Sequence, residues 1–439
     1  MHVMKFGGTS LGNAERIRNV ARIVEDSRRE RPIVVVSAVA GVTDTLLSLL
    51  GKKSLSARLR TYEKIAKLHR KIASELGLDE GLLDGTLRDL RFLAAKGASG
   101  AKRRDLLLSF GERLCAPLVS GVLREGGVPS EAFPAWELGM ITDDAFGKAE
   151  PLGNAPQLLR KKINALTVIP VITGYIGRTR KGDITTLGRG GSDYTAAIIG
   201  AALSAEKIQI WKEVDGILTA DPRLVPEAQI VPELAFEEAS ELAYFGAKVL
   251  HPKAILPAMK AGVPVEVVNT FAPKKAGTTI VSNFRERKQK IRTVEALTFK
   301  RNIAAIHIYS PEFFDGNILM SRIFEIFERH HTVVDVITTS IASVSLTVNS
   351  GENLSALAKH LEEIGTVAVE HGKAIVCAVG GGVNAAGVAG VMFTALGNAG
   401  IPVEMISQAA SGVSMTFVVE EKDAEEALKV LHKEYIEHV

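Results

Sequence analysis

Lys5-Phe6-Gly7-Gly8-Thr9-Ser10 decides the fold of this 439-residue chain. The apolar run from His2 to Phe6 predicts a strand, and Asn13 is a good N-cap for the amphipathic helix that follows. Glycines between a strand and a helix let the backbone approach an anion, and amides at a helix start point toward it. The lysine adds a charge suited to a phosphoryl group. The segment alone fits an ordinary βα turn with a surface lysine equally well.

Strand and helix signals alternate from this segment to about residue 280. The stretches 32–37 and 167–173 are β-branched and apolar, which is typical of buried parallel strands. Residues 207–211 and 264–269 continue the set, and 56–126 predicts several helices. Strands alternating with helices predict an α/β domain over 1–280, with a mostly parallel sheet and helices on both faces.

The pattern changes after a basic connector at 270–290. Two β-α-β-β-α repeats then predict two ferredoxin-like modules, 291–370 and 371–439. An extra strand at 293–300 leaves an alternative open, in which the first module is inserted into the second. In the second module, 380–385 fits a dinucleotide fingerprint, but the residues beyond it leave no room for a second βαβ half. A glycine turn at the edge of a small-molecule regulatory pocket is favoured.

Composition excludes several classes of protein. Apolar residues make up 46% and charged residues 23% of the chain, and the net charge is +3, which indicates a soluble protein with no nucleic-acid or membrane surface. The two cysteines, Cys115 and Cys377, lack metal-ligand spacing and exclude a disulfide framework. With no apolar signal segment at the N-terminus, and no run of the roughly 20 apolar residues that a membrane span needs, we expect a cytoplasmic location.

A second glycine-rich segment, Gly188-Arg189-Gly190-Gly191-Ser192-Asp193, precedes an apolar helix. Arginine binds a carboxylate through two parallel hydrogen bonds, and the flanking glycines allow a ligand to come close. Ser192 and Asp193 are good helix caps, which is their structural interpretation. Asp193 could equally organise a magnesium ion or a catalytic lysine.

Three further segments are weaker signals. The hydroxyls of 37–43 follow the second strand, at the sheet edge where α/β folds bind ligands. Glu112 lies in an apolar helical setting suited to an ammonium group, or pairs with Arg113. Lys248 lies in an apolar segment, which makes it a candidate site residue. Its structural interpretation is a surface lysine whose aliphatic stem packs on apolar groups. His251 is more readily structural than catalytic.

Taken in order, KFGGTS, VSAVAGVTD, FGERL, GRGGSDYTA, the VDGI-TADPR stretch and FGAKVLHP resemble the aspartate kinase family over essentially the whole chain. Residues 334–340 resemble the first of that family's paired ACT regulatory modules. The resemblance implies transfer of phosphate from ATP, with Mg²⁺, to the side-chain carboxylate of aspartate, giving 4-phospho-L-aspartate. It also implies feedback by lysine or threonine, and a homodimer or larger assembly formed through the ACT-like modules.

The resemblance also implies a role for each candidate residue. The catalytic residues are Lys5 and Asp193. Substrate binding falls to Ser37, Thr43, Glu112, Arg189 and Ser192. Nucleotide binding falls to Lys5, Gly7, Gly8, Ser10, Asp215, Arg223 and Lys248. The effector residues are Met320, Asp335, Thr339 and Ser340. No residue is predicted to be a metal ligand.

The chain departs from the family pattern in places. Lys212 and Glu213 stand where Thr-Asp is usual, which weakens the transfer of nucleotide contacts there. Asp44 replaces a common Asn, and Ile341 replaces a common Glu, so the identity of the effector stays open. No dehydrogenase domain follows, so we expect no fused homoserine dehydrogenase. The rival interpretations are a kinase for glutamate or acetylglutamate, and an amino-acid sensor without catalysis.

Overall fold

The computed structural model describes residues 1–97, 99–247, 250–282, 292–310, 317–351 and 353–437. The chain forms two compact units. The first comprises Met1–Ile217, Pro232–Phe236 and Val249–Arg287, and the second comprises Leu218–Val231, Glu237–Lys248 and Lys288–Val439. Two segments inside the predicted domain 1–280 thus associate with the second unit. The boundaries 1–280, 291–370 and 371–439 stay a prediction.

The first unit is built from strands and helices that alternate along the chain. Its strands are β1 (His2–Phe6), β2 (Ile33–Val36), β3 (Ser130–Phe133), β4 (Ile141–Thr142), β5 (Ile169–Thr173), β6 (Ile176–Thr179), β7 (Ile184–Thr186), β8 (Lys207–Lys212), β9 (Glu233–Ala235), β10 (Val265–Asn269) and β11 (Thr278–Val281). The helices up to residue 261 are α1 (Ala14–Asp26), α2 (Val42–Leu50), α3 (Leu55–Leu76), α4 (Asp84–Lys96), α5 (Ala101–Leu108), α6 (Phe110–Glu125), α7 (Ala155–Asn164), α8 (Gly191–Leu203), α9 (Phe236–Phe245) and α10 (Pro252–Ala261).

An eight-stranded sheet lies at the centre of the first unit, in the order β3-β5-β2-β1-β8-β10-β11-β9. Adjacent strands are parallel except for the antiparallel pair β10 and β11. The four residues of β2 are all buried, as a strand covered on both faces requires. Strands β4, β6 and β7 form a separate three-stranded sheet. The prediction of a mostly parallel α/β fold is confirmed.

The order of strands places a crevice at the end of β1. The chain adds β2, β5 and β3 on one side of β1, then returns to add β8 and β10 on the other side. Ligands of open α/β sheets bind beyond the carboxyl ends of the strands at such a reversal. The glycine turn that follows β1 lies at this point. Asn13 caps α1 there, as predicted, by accepting a hydrogen bond from the amide of Arg16 at 2.9 Å.

One helical stretch in the described part of the chain, Ala101–Glu125, is long and apolar enough to cross a membrane. However, 78% of its most apolar window is buried inside the fold. The stretch is divided at Ser109 into α5 and α6. A buried core helix passes the same test of length and composition, and burial favours that interpretation here.

The second unit contains a six-stranded antiparallel sheet with helices. Its elements beyond residue 291 are β12 (Ala296–Tyr309), α11 (Asn317–Arg329), β13 (Val334–Thr339), β14 (Ser343–Asn349), α12 (Leu354–Leu361), β15 (Thr366–Val379), α13 (Val388–Asn398), β16 (Met405–Gln408), β17 (Ser414–Glu420) and α14 (Ala424–His432). The strand order is β13-β14-β12-β15-β17-β16. The two predicted β-α-β-β-α repeats are present.

Two long strands belong to both repeats. The first half of β12, Ala296–Lys300, pairs with Ile375–Val379 of β15, and its second half, Ile303–Tyr309, pairs with β14 and with the start of β15. The sequence had predicted an extra strand and then a separate one here. The structure has one strand of 14 residues with a register shift between Lys300 and Ile303.

The glycines at 380–382 serve packing. A Cβ on Gly380 would come within 2.7 Å of the carbonyl oxygen of Thr293, and one on Gly382 within 2.8 Å of the Thr293 Cα. Glu404, the candidate ribose ligand of the dinucleotide interpretation, instead accepts a hydrogen bond at 2.5 Å from Lys373. Gly380 and Gly382 are therefore explained by their close approach to the backbone around Thr293. Neither a bound dinucleotide nor a regulatory pocket is needed to explain why glycine stands at these positions.

We expect Gly200→Ala to destabilise the first unit. A Cβ on Gly200 in α8 would lie 2.4 Å from side-chain atoms of the fully buried Ile208 in β8, and overpacking of this kind costs about 2 kcal/mol. Gly85 in α4 is the matched control, because nothing lies within 4 Å of its added Cβ. Gly85→Ala should stabilise by about 0.5 kcal/mol through helix propensity.

The measurement is urea unfolding followed by tryptophan fluorescence. Both tryptophans of the chain, Trp136 and Trp211, lie in the first unit and therefore report on it. Equal unfolding midpoints for the two variants would contradict the packing of α8 on β8 described above.

Candidate active site

The turns that follow β1 and β2 and the start of α6 pack against one another at the carboxyl end of the sheet. A Cβ on Gly8 would lie 2.8 Å from the carbonyl oxygen of Ala38, and one on Gly111 would lie 2.6 Å from the Cβ of Ala38. Only glycine permits these separations. The two glycines therefore bring the polar groups of three distant segments to one crevice.

Lys5, Asp193 and Lys212 form a buried charge cluster in this crevice. The Lys5 ammonium lies 2.6 Å from Asp193 Oδ1, and the Lys212 ammonium lies 3.3 Å from Asp193 Oδ2. The exposed fractions of the three side chains are 7%, 8% and 19% for Lys5, Asp193 and Lys212. Burial alone would raise the pKa of Asp193, but the two ammonium groups outweigh it and hold that pKa below its usual value. Burial lowers the pKa of Lys212, and Asp193 opposes this effect only in part.

Glu112, in the first turn of α6, is 4% exposed. Its Oε1 accepts a hydrogen bond from the amide of Ala38 at 3.1 Å, and its Oε2 has no hydrogen-bond partner among the described residues. Burial raises the pKa of this carboxyl to about 8, although Lys5 lowers it in part. The alternative that Glu112 pairs with Arg113 is wrong, because Arg113 pairs with Asp89 at 3.5 Å. The carboxyl is thus placed to gain a cation from a ligand.

Arg189 is exposed in the loop between β7 and α8, which turns through positive φ at Gly188 and Gly190. Asp105 anchors the start of this loop. Its Oδ2 accepts hydrogen bonds from the amide of Gly147 at 2.8 Å and from that of Thr186 at 2.7 Å. Burial raises the pKa of the Asp105 carboxyl, and these hydrogen bonds oppose the effect. The sequence analysis did not identify Asp105. The one feature that could have indicated its role is a carboxylate directly before three leucines, Leu106 to Leu108.

The predicted hydroxyl groups lie on segments that meet here. Ser37 directly follows β2, Thr43 lies in the first turn of α2, and both are half-buried. Ser192 lies in the first turn of α8 and is 8% exposed. It packs closely on the residue after β5, because a Cβ added to Gly174 would lie 2.7 Å from the Cβ of Ser192. His251 packs on the Arg189 loop, 2.9 Å from where a Cβ on Gly190 would stand.

Two of the predicted nucleotide residues have protein partners instead. The Ser10 hydroxyl is fully buried and shares a hydrogen bond of 2.7 Å with Thr270 Oγ1. The Asp215 carboxylate accepts hydrogen bonds from Asn269 at 2.5 Å and from Lys275 at 3.0 Å. Core packing accounts for Ser10, which the sequence motif could not distinguish from an exposed turn hydroxyl.

The remaining nucleotide residues are less defined. Arg223 belongs to the second unit, where its guanidinium is 81% exposed and pairs with Asp221 at 2.5 Å. Lys248 lies outside the described residues. Gly7 and Gly8 form the turn after β1, and the amide of Gly7 donates to the carbonyl of Trp211 at 3.2 Å.

The predicted effector residues lie in the second unit. The Asp335 side chain is fully buried, with both oxygens 2.8 Å from the Lys300 ammonium and one 2.6 Å from the Tyr244 hydroxyl. Thr339 and Ser340 are exposed, and Met320 packs against the core of the first repeat. Asp335 is therefore already satisfied by groups of this chain, which the sequence did not predict.

Metal binding has no dedicated protein site in the described part of the chain, where no three His, Cys, Asp or Glu side chains are grouped to hold an ion. Magnesium is often held by one or two carboxylates together with substrate phosphates, and such a site needs no protein cage.

Comparisons with known proteins agree with the geometry. The amino acid kinase family model matches residues 1–269, and an ACT domain model matches 376–435. Lysine-sensitive aspartokinase 3 of Escherichia coli is 36% identical over 99% of both chains. Aspartokinase 1, chloroplastic, of Arabidopsis thaliana is 36% identical over 99% of this chain and 80% of its own length. The crystal structure of E. coli aspartokinase III in complex with aspartate and ADP has a TM-score of 0.82 at 33% identity, with 99% of both chains covered.

The raised pKa of Glu112 predicts a stability that depends on pH. The folded carboxyl keeps its proton up to about pH 8, whereas the unfolded chain loses it near its usual pKa. The wild type should therefore lose stability relative to Glu112→Gln as pH rises from about 5 to about 8, by on the order of 4 kcal/mol in total.

Urea unfolding of both proteins across this pH range, followed by tryptophan fluorescence, measures the difference. Glu112→Gln keeps the oxygen that accepts from Ala38 and removes only the titration. Parallel stability curves for the two proteins would show that the Glu112 carboxyl titrates normally.

Proposed function

The chain belongs to the amino acid kinase family and is an aspartate kinase, and we propose that the crevice of Lys5, Asp193, Glu112 and Arg189 is its active site. There the γ-phosphoryl group of ATP would pass to the side-chain carboxylate of aspartate, giving 4-phospho-L-aspartate, the first step toward lysine, threonine and methionine. One observation carries this assignment: a buried lysine–aspartate pair lies in the same crevice as a buried carboxyl whose Oε2 has no hydrogen-bond partner among the described residues.

The proposed substrate pocket recognises a free amino acid at both ends. Glu112 would give up its proton and bind the α-ammonium group, which supplies a charged hydrogen-bond donor to the unpartnered Oε2. Arg189 would bind the α-carboxylate through two parallel hydrogen bonds. Hydroxyls of Ser37, Thr43 and Ser192 would complete the pocket. An N-acetylated acid has no ammonium group and would leave Glu112 unsatisfied, which disfavours acetylglutamate as the substrate.

The chemistry needs no general base, because the attacking carboxylate is already ionised. The main obstacle is its repulsion from the triphosphate, which cations placed at the transferred group relieve in the transition state. Lys5 would supply one of these charges, the amides of Gly7 and Gly8 would face the phosphates, and Asp193 would hold Lys5 in place. ATP is the phosphate donor, and Mg²⁺ supplies charge neutralisation on its phosphates.

The remaining nucleotide contacts stay predictions. Asp215 would have to exchange its bonds to Asn269 and Lys275 for a bond to the nucleotide, whereas Arg223 needs to release only its exposed pair with Asp221. Ser10 keeps its predicted role, and a contact through its hydroxyl would require it to exchange its hydrogen bond to Thr270. Lys248 keeps its predicted role facing the ATP phosphates.

We expect Arg189→Ala to weaken aspartate binding by about 2 to 4 kcal/mol, because charge-assisted paired hydrogen bonds would be lost. A hydroxamate trap of the acyl phosphate, run with aspartate, glutamate and acetylglutamate, measures both substrate choice and the Michaelis constants. Arg180→Ala is the control, since Arg180 is an arginine of the β6–β7 turn to which we assign no site role.

Wild type should turn over aspartate well ahead of the other two acids, and Arg189→Ala should raise the Michaelis constant for aspartate alone. If Arg189→Ala behaves like Arg180→Ala, the pocket has been placed wrongly, although the activity itself would stand.

We propose that the first repeat of the second unit holds a regulatory site for lysine or threonine, formed by Met320, Asp335, Thr339 and Ser340. A relative of this chain is named a lysine-sensitive aspartokinase, which makes lysine the first candidate. Because Lys300 occupies both oxygens of Asp335, an effector ammonium would compete with it. Lys300 would therefore set the effector concentration to which the enzyme responds.

We expect Lys300→Met to lower the half-inhibitory concentration of lysine about tenfold, because an unpaired buried carboxylate gains more from the effector's ammonium. Lys300→Arg keeps the charge and should respond nearly as wild type does. Activity assays with lysine and threonine titrated separately would measure this. An unchanged or higher half-inhibitory concentration in Lys300→Met would count against an effector ammonium at Asp335.

We further propose a homodimer or larger assembly formed through the ACT-like repeats, and a cytoplasmic location. Strands β13 and β16 are the two edge strands of the six-stranded sheet, and edge strands can pair with another chain, which supports association. Analytical ultracentrifugation with and without lysine would test the assembly.

A further inference from the structure

Lys212 lies at the phosphoryl-transfer end of the proposed active site, at a position where the family resemblance led us to expect threonine. It is the last residue of β8, and its ammonium lies 3.3 Å from the carboxylate of Asp193 that also holds Lys5. Sequence reasoning treated this residue as a departure that weakens the nucleotide side. The geometry places a second cation there instead.

The parallel pairing of β1 and β8 explains why both lysines point the same way. Lys5 pairs in register with Ile210, and Lys212 follows two residues later on the same strand. Side chains alternate along a strand, so Ile210 and Lys212 share the face that carries Lys5. The hydrogen bond from the Gly7 amide to the Trp211 carbonyl, at 3.2 Å, holds the turn after β1 beside the end of β8.

The repulsion between the two ammonium groups favours a ligand over a purely structural role. Lys5 and Lys212 both contact the carboxylate of Asp193, so two cations lie close together in a buried site. One buried cation is enough to neutralise Asp193, and a second adds both a desolvation cost and repulsion. That cost is visible at Lys212, whose pKa is lowered by burial and further lowered by Lys5. An anionic group placed between the two ammonium groups would offset it.

We propose that Lys212 is a catalytic residue that, together with Lys5, contacts the phosphoryl group during transfer, while Asp193 orients both ammonium groups. An oxygen of the aspartate side chain forms a bond to the γ-phosphorus as the bond from that phosphorus to the β,γ-bridging oxygen breaks. ADP leaves with the electron pair, and no proton is transferred. Negative charge grows on the bridging oxygen and stays on the three equatorial oxygens, where two cations stabilise it more than one does.

The proposal rests on the active site assigned above, and its test separates the two claims. Lys212→Met removes the charge and keeps the length of the stem, and Lys212→Arg keeps the charge. Lys207→Met is the matched control on the same strand, because Lys207 pairs with Glu266 at 3.1 Å and has no assigned role in the site. Lys5→Met tests the site itself.

The readouts separate chemistry from binding and from folding. Turnover and the Michaelis constants for aspartate and ATP come from the hydroxamate assay. Binding of ADP, which lacks the transferred group, is followed by the fluorescence of Trp211, whose ring stacks on Phe6 beside the cluster at 5.7 Å. Thermal unfolding controls for loss of the fold.

Lys212→Met should lower the turnover number about 100-fold, with the Michaelis constant for aspartate and the dissociation constant for ADP changed by less than about threefold. Lys212→Arg should recover part of the loss, and Lys207→Met should behave as wild type. If Lys5→Met is inactive but Lys212→Met turns over within about threefold of wild type, the role of Lys212 is refuted and the active site stands. If Lys5→Met is also active, the site itself has been misplaced. If Lys212→Met loses ADP binding and thermal stability in step with turnover, Lys212 is structural and the proposal fails.

Discussion

The carboxylate of Asp193, held between the ammonium groups of Lys5 and Lys212, is the interaction on which the first unit depends. Buried charges are costly unless they are paired and hydrogen-bonded. Three segments far apart in sequence must therefore meet within hydrogen-bond distance, and the order of the strands makes this possible. With β1 between β2 and β8, the chain reverses direction across the sheet at the place where the cluster forms. The same reversal opens the crevice in which a nucleotide and an amino acid can meet.

Small residues and one buried carboxylate determine how closely the rest of the site approaches this cluster. Gly8 and Gly111 let the turn after β1 and the start of α6 pack against Ala38. Glu112 can therefore accept a hydrogen bond from the amide of Ala38 and still face the crevice. Asp105 holds the beginning of the Arg189 loop through two backbone amides. Binding and catalysis therefore rest on backbone contacts that motif letters alone do not display. The two residues proposed to bind the ends of the substrate lie on different parts of the chain, Glu112 on α6 and Arg189 in the loop before α8.

The sequence predicted the fold class and drew attention to the two glycine segments, because strand and helix periods and glycine turns are local signals. It did not predict which charges pair, since pairing depends on the register of β1 with β8 and on the packing of α8. The sequence therefore suggested that Lys212 weakens the nucleotide contacts, whereas the structure places its ammonium on the carboxylate that also holds Lys5. The hydrogen bond between Ser10 and Thr270 was likewise not predicted. The sequence also did not predict the raised pKa of Glu112, because that shift arises from burial and not from neighbours in sequence.

The unbroken strands β12 and β15 have a consequence for how the second unit responds to a ligand. Each strand runs through both repeats, and their pairing shifts register between Lys300 and Ile303 and again between Ile303 and Ala305, next to Asn302, which has φ of 60°. Asparagine tolerates that conformation better than most residues. The two repeats therefore share one continuous sheet. A ligand that changed the twist of β12 or β15 in one repeat would change the strand pairing of the other.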